Sequence, residues 1–196
     1  MTTAIAPSPV ANGHSQKAKP QPRLLTLAEF RRKYSNREDG FKYEFNNGIV
    51  EKYPSDMNIK QFHIIQNLTR RFAQTQAYAE RAELASEVEL LTSPFQMRKP
   101  DLALLTRTQI QSHDEYVSGF VIEIISPTDR HDDIVRKRRE YFSAGVQVLW
   151  QIAPVEKTVS VYTSPTSVVV CEGNAVCSAA PVLPDFEMTA DEVFAK

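Results

Sequence analysis

The sequence predicts an α/β domain built on a mixed central β-sheet flanked by helices, with additional β-hairpins at both ends. Apolar residues recur with the helical period in two stretches, near residues 58–79 and 130–143. Between and after them lie short β-branched or leucine-rich runs bounded by Pro, Ser or Gly. The resulting order of helix, three strands, helix and strand places helices on the faces of a sheet with both parallel and antiparallel neighbours.

Size and composition agree with one domain over residues 24–196. The 196 residues are 42% hydrophobic and 24% charged, and a chain of this length buries roughly 70% of its unfolded surface without disulfides or a structural metal. A net charge of -1 excludes a strongly basic, histone-like binder and leaves room for a local basic groove. Cys171 and Cys177 lack the spacing of a zinc knuckle or redox pair. A turn over Glu172–Ala175 would set Val170 opposite Cys177 in a hairpin, so both are expected as reduced thiols. No window approaches the roughly 18 apolar residues of a membrane span, and the N-terminus has no basic, apolar and cleavable pattern. No membrane partner and a cytoplasmic location are expected.

Residues 1–23, rich in Ala, Pro, Ser, Gln and Lys, are expected to form a disordered tail. Thr26 with Glu29 three residues later reads as a capping box opening a short helix through Leu27, Phe30 and Tyr34. In FKYEFNNGIVEKYP, Asn47-Gly48 predicts a two-residue hairpin turn that pairs Phe45 with Val50 and sets Glu44 opposite Glu51. Facing carboxylates repel, so either both point into water or a cation sits beside them. A long helix is expected from Asn58 to about Ala79, its apolar stripe formed by Ile59, Phe62, Ile65, Leu68 (or Thr69) and Phe72. His63, on its flank, reads as structural or solvated, with a substrate-facing role left open. Strands follow at about 82–91, 98–105 and 119–125, then a helix from Arg130 to Ser143 ended by Gly145. Strands at 146–152, 158–162, 168–172 and 175–178 continue the sheet by hairpins, with Trp150 as a packing residue, and TADEVFAK closes the chain as a capped helical turn.

The candidate chemistry lies in Pro100-Asp101, opening one strand, and in Glu123 within FVIEIISP on the next. Carboxylates among Val, Ile and Leu are costly to bury, and two of them on one face would suit a hard divalent cation. Lys137 is the candidate for orienting a water. Glu123 lies about 10 Å below its strand end, and Lys137 lies about 10 Å down the following helix, which makes the two level. Lys137 shares the stripe Ile134, Lys137, Arg138 and Tyr141, expected to face the sheet. The alternative is an ordinary surface pair of Asp133 with Lys137 in a solvated basic stretch. His131, Asp132 and Asp133 are explained by helix capping and the macrodipole rather than by a second metal cluster. Arg70, Arg71, Arg98, Lys99 and Arg136 are cations that could track a phosphate backbone, each also readable as a plain surface charge.

Read in order, KPDLALL, FVIEIISPTDR and IVRKRREYFSAGVQVLWQIAP, with YEFNNGIVEKYP upstream, resemble the Uma2 family, a group classed with restriction endonucleases and common in cyanobacteria. The likeness covers about residues 25–195. It implies a restriction-endonuclease-like core, Mg²⁺-dependent (or Mn²⁺-dependent) hydrolysis of DNA phosphodiesters, and a homodimer. By position, Asp101 matches the aspartate of the Pro-Asp motif, Glu123 its second acid, and Glu44 the acid of the family's opening segment. Glu44 is accordingly expected to contribute a carboxylate to the first or second shell of the ion. Two residues after Glu123, where the nuclease signature PD-(D/E)XK has lysine, stands Ile125. The Uma2 pattern carries a lysine on the neighbouring helix instead, which points to Lys137. A second function class is a non-catalytic dimeric binding or scaffold protein that retains the nuclease fold. Such relics commonly lose a carboxylate or the lysine, and here the acids survive.

Overall fold

The structure, a computed structural model, describes residues 23–55, 58–112 and 117–196. The tail expected over residues 1–23 lies outside them, apart from its last residue. Thr26 and Glu29 form the expected reciprocal cap at the start of α1 (Leu27–Phe30), which continues as a wider π turn over Arg31–Ser35. β1 (Phe41–Asn46) and β2 (Ile49–Pro54) make the hairpin. Asn47 and Gly48 both have positive φ, 49° and 85°, as a type I′ turn requires. The register pairs Phe45 with Val50 and Glu44 with Glu51, as the two-residue turn predicts.

Next come α2 (Ile59–Phe72), α3 (Gln76–Ala79), β3 (Glu83–Ser86), β4 (Leu90–Ser93), β5 (Gln96–Arg98), β6 (Leu102–Leu105) and α4 (Arg107–Ser112). β7 (Phe120–Ile124), α5 (His131–Ala144) and β8 (Val148–Ala153) then form a strand, helix and strand unit. β9 (Thr158–Tyr162), β10 (Val168–Cys171), β11 (Val176–Ala179), β12 (Leu183–Thr189) and α6 (Ala190–Val193) complete the chain.

The central sheet has the order β10-β9-β8-β7-β6-β3. β7 and β8 are its parallel pair and the other described pairings are antiparallel, which makes the sheet mixed. α5 makes the crossover between β7 and β8, and Gly145 caps it at φ 111°. Strand alternation divides the core between two faces. Ile122, Ile124, Trp150 and Ile152 pack with Ile64, Leu68 and Phe72 of α2, while Val121, Leu149 and Ala103 pack with Tyr141 of α5. Trp150 is fully buried against Phe120 and Phe186. No helix among the described residues is long and apolar enough to cross a membrane.

A four-stranded sheet, β2-β1-β5-β4, stands beside α5. On one face Tyr43, Phe45 and Met97 pack with Phe30. The side chains that alternate with these are polar or charged, and Glu44, Gln96 and Arg98 among them meet α5. Arg98 is completely buried. Its Nε donates to Glu140 Oε2 at 2.7 Å, and its Nη1 donates to Glu44 Oε2 at 3.1 Å and also to Glu51. The facing carboxylates of the hairpin therefore have a guanidinium between them instead of water. Burial pushes the Glu51 carboxyl up, but the Asn46 amide, Arg98 and Arg136 outweigh it and hold it down at about 2.

Several elements differ from their sequence expectations. The helix expected over 58–79 breaks after Phe72, because Thr75 turns back to bond Phe72 O and caps α3. Its buried stripe is Ile64, Leu68 and Phe72, whereas Ile59 and Phe62 are exposed. The strand expected over 82–91 is two strands in different sheets, separated at Glu87 with φ 50°. The strand expected over 98–105 likewise divides, so Asp101 sits where the chain passes from one sheet to the other. The segment after Cys171 pairs with β12, setting Cys177 opposite Met188 rather than Val170. Both cysteines are free and buried. Neither α4 nor β12 was anticipated.

Breaking the Arg98 network should be costly, since Glu44, Glu51 and Glu140 would lose a cation they share in a dry setting. Arg98→Met is expected to lower the unfolding free energy by about 3–5 kcal/mol in urea titrations. Arg98→Lys should recover little of it, because one ammonium cannot reproduce the planar fork.

Candidate active site

The carboxyl ends of the parallel strands β7 and β8 open onto a cleft with a free volume of about 140 Å³. Asp101, Glu123 and Lys137 all line it, together with Lys42, Tyr53 and Gln151. Its rim is the turn after β7, including Ser126 and Asp129, and the first turn of α2, at Asn58 and Gln61.

Asp101 and Glu123 reach one face of the sheet by alternation. Val121 and Ala103 point toward α5, and Glu123 and Asp101 stand two residues from each along their strands. The ladder between β6 and β7 ends at Leu102 opposite Ile122, and beyond it Asp101 Oδ2 accepts the Ile124 N–H at 2.6 Å. Its other oxygen accepts from Lys42 Nζ at 3.1 Å. Glu123 is 9% exposed. Its Oε1 accepts the Tyr141 hydroxyl at 2.6 Å, and its other oxygen has no protein hydrogen bond among the described residues.

Lys137 lies one helical turn before Tyr141 and shares the cleft with Glu123. Its ammonium is 2.9 Å from both oxygens of Glu44 and 4.3 Å from the centre of the Tyr53 ring. The surface pair with Asp133 does not form: Asp133 accepts from Arg136 at 2.7 Å. Glu44 does not line the cleft. It is fully buried, and besides Lys137 it accepts from Arg98 and from the Lys99 N–H. Of the two places expected for Glu44, against an ion or one step behind it, its burial beneath Lys137 fits the second.

Electrostatics separate the acids. Burial pushes the Glu123 carboxyl up, and Asp101 and Glu44 add to this. Lys137 and Lys42 oppose it, and the outcome is about 7. Burial would also raise Glu44, but Lys137, Arg98 and Lys42 together hold it below the usual carboxylate range. Lys42, although burial disfavours its charge, is held firmly protonated by Asp101, Glu123 and Glu44.

This donor set fits a hard divalent cation. Two oxygen ligands from neighbouring strands, repelling each other across an open cleft, are what Mg²⁺ takes when water supplies its remaining positions. Among the described residues no group of three or more His, Cys, Asp and Glu converges, so a closed site of the structural-zinc kind is not built here. Asp132 and Asp133 lie in the first turn of α5, where acids favour the helix dipole.

Other sequence candidates fall away from the cleft or serve the fold. His63 faces a separate depression on the far side of the first turns of α2. Arg98 is interior and cannot meet a phosphate backbone. Arg71 is bound to the carbonyls of Asp185 and Glu187, Lys99 pairs with Glu89, and Arg136 pairs with Glu51, Asp133 and Glu140. Arg70 bonds Gln66 on its own helix. Lys42 was the main omission. Strand alternation puts it on the same face as Glu44, a signal present in FKYEF, but its partner Asp101 is 59 residues away.

The profile of the Uma2 family, described as "Putative restriction endonuclease", matches residues 27–191. A crystal structure described as "a putative nuclease belonging to DUF820", from Anabaena variabilis, superposes with a TM-score of 0.73 at 20% sequence identity. The match covers 87% of this chain and 97% of that one. No curated protein matches the sequence.

The raised carboxyl of Glu123 sets a pH dependence of stability. Its ordinary value is 4.5, so between that pH and about 7 the folded chain retains a proton there that the unfolded chain releases. Stability from this group falls as pH rises through that window and is level above it. Asp101, Glu44, Lys42, Lys137 and Tyr141 are the charged and titratable groups that act on it. Glu123→Gln should match the native protein near pH 4 and exceed it at pH 8 in EDTA, by up to about 3 kcal/mol. Urea unfolding at both pH values checks this, and a less stable variant at pH 8 would mean that the charge is stabilised in the fold.

Proposed function

Because the chain belongs to the Uma2 family, we propose that it is a metal-dependent endonuclease that hydrolyses phosphodiester bonds in DNA, with Asp101 and Glu123 holding Mg²⁺ or Mn²⁺. The observation that carries this reading is the meeting of Asp101, Glu123 and Lys137 in one cleft at the carboxyl ends of the parallel strands. When bound, a divalent ion supplies neutralisation of negative charge on a phosphate oxygen. The protein supplies the rest. Lys137, fixed by both oxygens of Glu44, offers an N–H toward the cleft that orients the attacking water and meets charge developing on the phosphate. Glu44 acts through Lys137, as a positioning residue. Tyr141 fixes the Glu123 carboxylate, and the Ile124 N–H fixes Asp101. With one such cleft among the described residues of each chain, cutting both strands of a duplex takes two copies, so a homodimer is part of the proposal.

One observation favours the alternative of a binding or scaffold protein without turnover: Lys42 already supplies a positive charge to Asp101. Nicking of supercoiled plasmid in Mg²⁺ or Mn²⁺ separates the two readings. The native protein should cleave, and Asp101→Asn and Glu123→Gln should each abolish cleavage while remaining folded. Lys137→Ala should reduce turnover by about 10²–10⁴-fold with little change in metal affinity. Cleavage by none of the proteins would leave the scaffold reading, and equal cleavage by native protein and Asp101→Asn would assign the activity elsewhere.

A further inference from the structure

Two large apolar side chains that the helical period assigns to the core stand in water. Ile59 is 66% exposed and Phe62 42% exposed, both on the first two turns of α2. Their place on the helix is specific. Asn58 and Gln61 line the catalytic cleft. Lys60, His63 and Ile64 line a second depression, of about 260 Å³, on the opposite flank. At 100° per residue, Phe62 and Ile59 fall on the outward arc between those two flanks. The Phe62 ring meets His63 edge-on at 5.8 Å between centres. The second depression is lined by Pro154 and Val155, in the turn after β8, together with Lys60, Lys157 and Lys196. No acidic side chain lines it among the described residues, and Glu156, in the same turn, is not part of its wall.

Resting on the nuclease reading, we infer that this ridge and depression form the path of a single nucleic-acid strand leaving the cleft, with a base stacked on Phe62 and the phosphates beyond it held by Lys60 and Lys157. The chemistry matches on both counts. An exposed aromatic side chain between cationic sites is how unpaired strands are gripped without sequence preference, and three lysines in the second depression complement phosphodiesters. A second copy of the chain fits less well. A two-fold interface centred on the ridge would lay the lysine flank of each copy over the cleft flank of the other and cover the cleft that substrate must enter. The proximity of cleft and depression across one helical turn lets the same strand occupy both.

The test is binding of a fluorescein-labelled single-stranded 20-mer to the full chain in EDTA, followed by anisotropy, which needs no turnover. Phe62→Ala should weaken binding by about tenfold, with Phe62→Trp restoring it. Lys60→Glu combined with Lys157→Glu should weaken it by at least tenfold and flatten its salt dependence. Binding that is indifferent to Phe62 and to both lysines overturns the path, as does native protein that fails to bind. A Phe62→Ala variant that binds normally but loses self-association assigns the ridge to a second copy and also overturns it. Phe62-dependent binding by a protein that never nicks plasmid would retain the path and remove the nuclease reading, so the two failures are distinct.

Discussion

Glu44 is removed from water, and a carboxylate in that position keeps its charge only where cations surround it. Arg98 and Lys137 do so here, and the backbone N–H of Lys99 adds a further hydrogen bond. The same Arg98 holds Glu51 of β2 and Glu140 of α5, so one guanidinium joins the hairpin, β5 and the crossover helix. Displacing any of these elements would leave a charge buried without its partner. The four-stranded sheet is thereby held against α5, and the position of Lys137 at the cleft follows from that docking.

The division of labour among the acids has the same origin. Glu44 and Glu123 are both buried, yet their carboxyls shift in opposite directions. Glu44 has cations on each oxygen. Glu123 has a neutral phenol on one oxygen and a like-charged neighbour in Asp101. The first arrangement stabilises the fold. The second stores repulsion that a cation in the cleft would relieve, at the expense of stability without one.

The central sheet supplies the geometry that makes this possible. Its parallel pair sends both strand ends to the same edge, and the alternation of apolar and polar positions places Asp101 and Glu123 on the α5 face while Ile122, Ile124 and Trp150 build the opposite core. The first turns of α2 close that edge from the other side of the sheet. A change in the seating of α2 would therefore alter both the mouth of the cleft and the ridge formed by Ile59 and Phe62.

Short-range chemistry was legible in the amino-acid order. Asn47-Gly48 specifies a turn whose two-residue length leaves one register, and Thr26, Asn58 and Thr189 announce helix starts through bonds made within three residues. Asp101, Glu123 and Lys137 could be singled out because charges in apolar runs are costly wherever the chain goes. The sequence by itself thus determined the class of fold, most element types and the candidate acids and lysine. Only the tertiary structure decided which half of the broad apolar arc of α2 is buried, since periodicity defines a face without saying what covers it. It also decided that two apolar runs each divide between sheets, because β-forming residues serve either sheet equally well. Above all it decided the partners of Glu44, Lys42 and Arg98. Those pairs join residues 42 to 93 positions apart, and only the packing of the hairpin on α5 and beside the central sheet brings their charges within reach of one another.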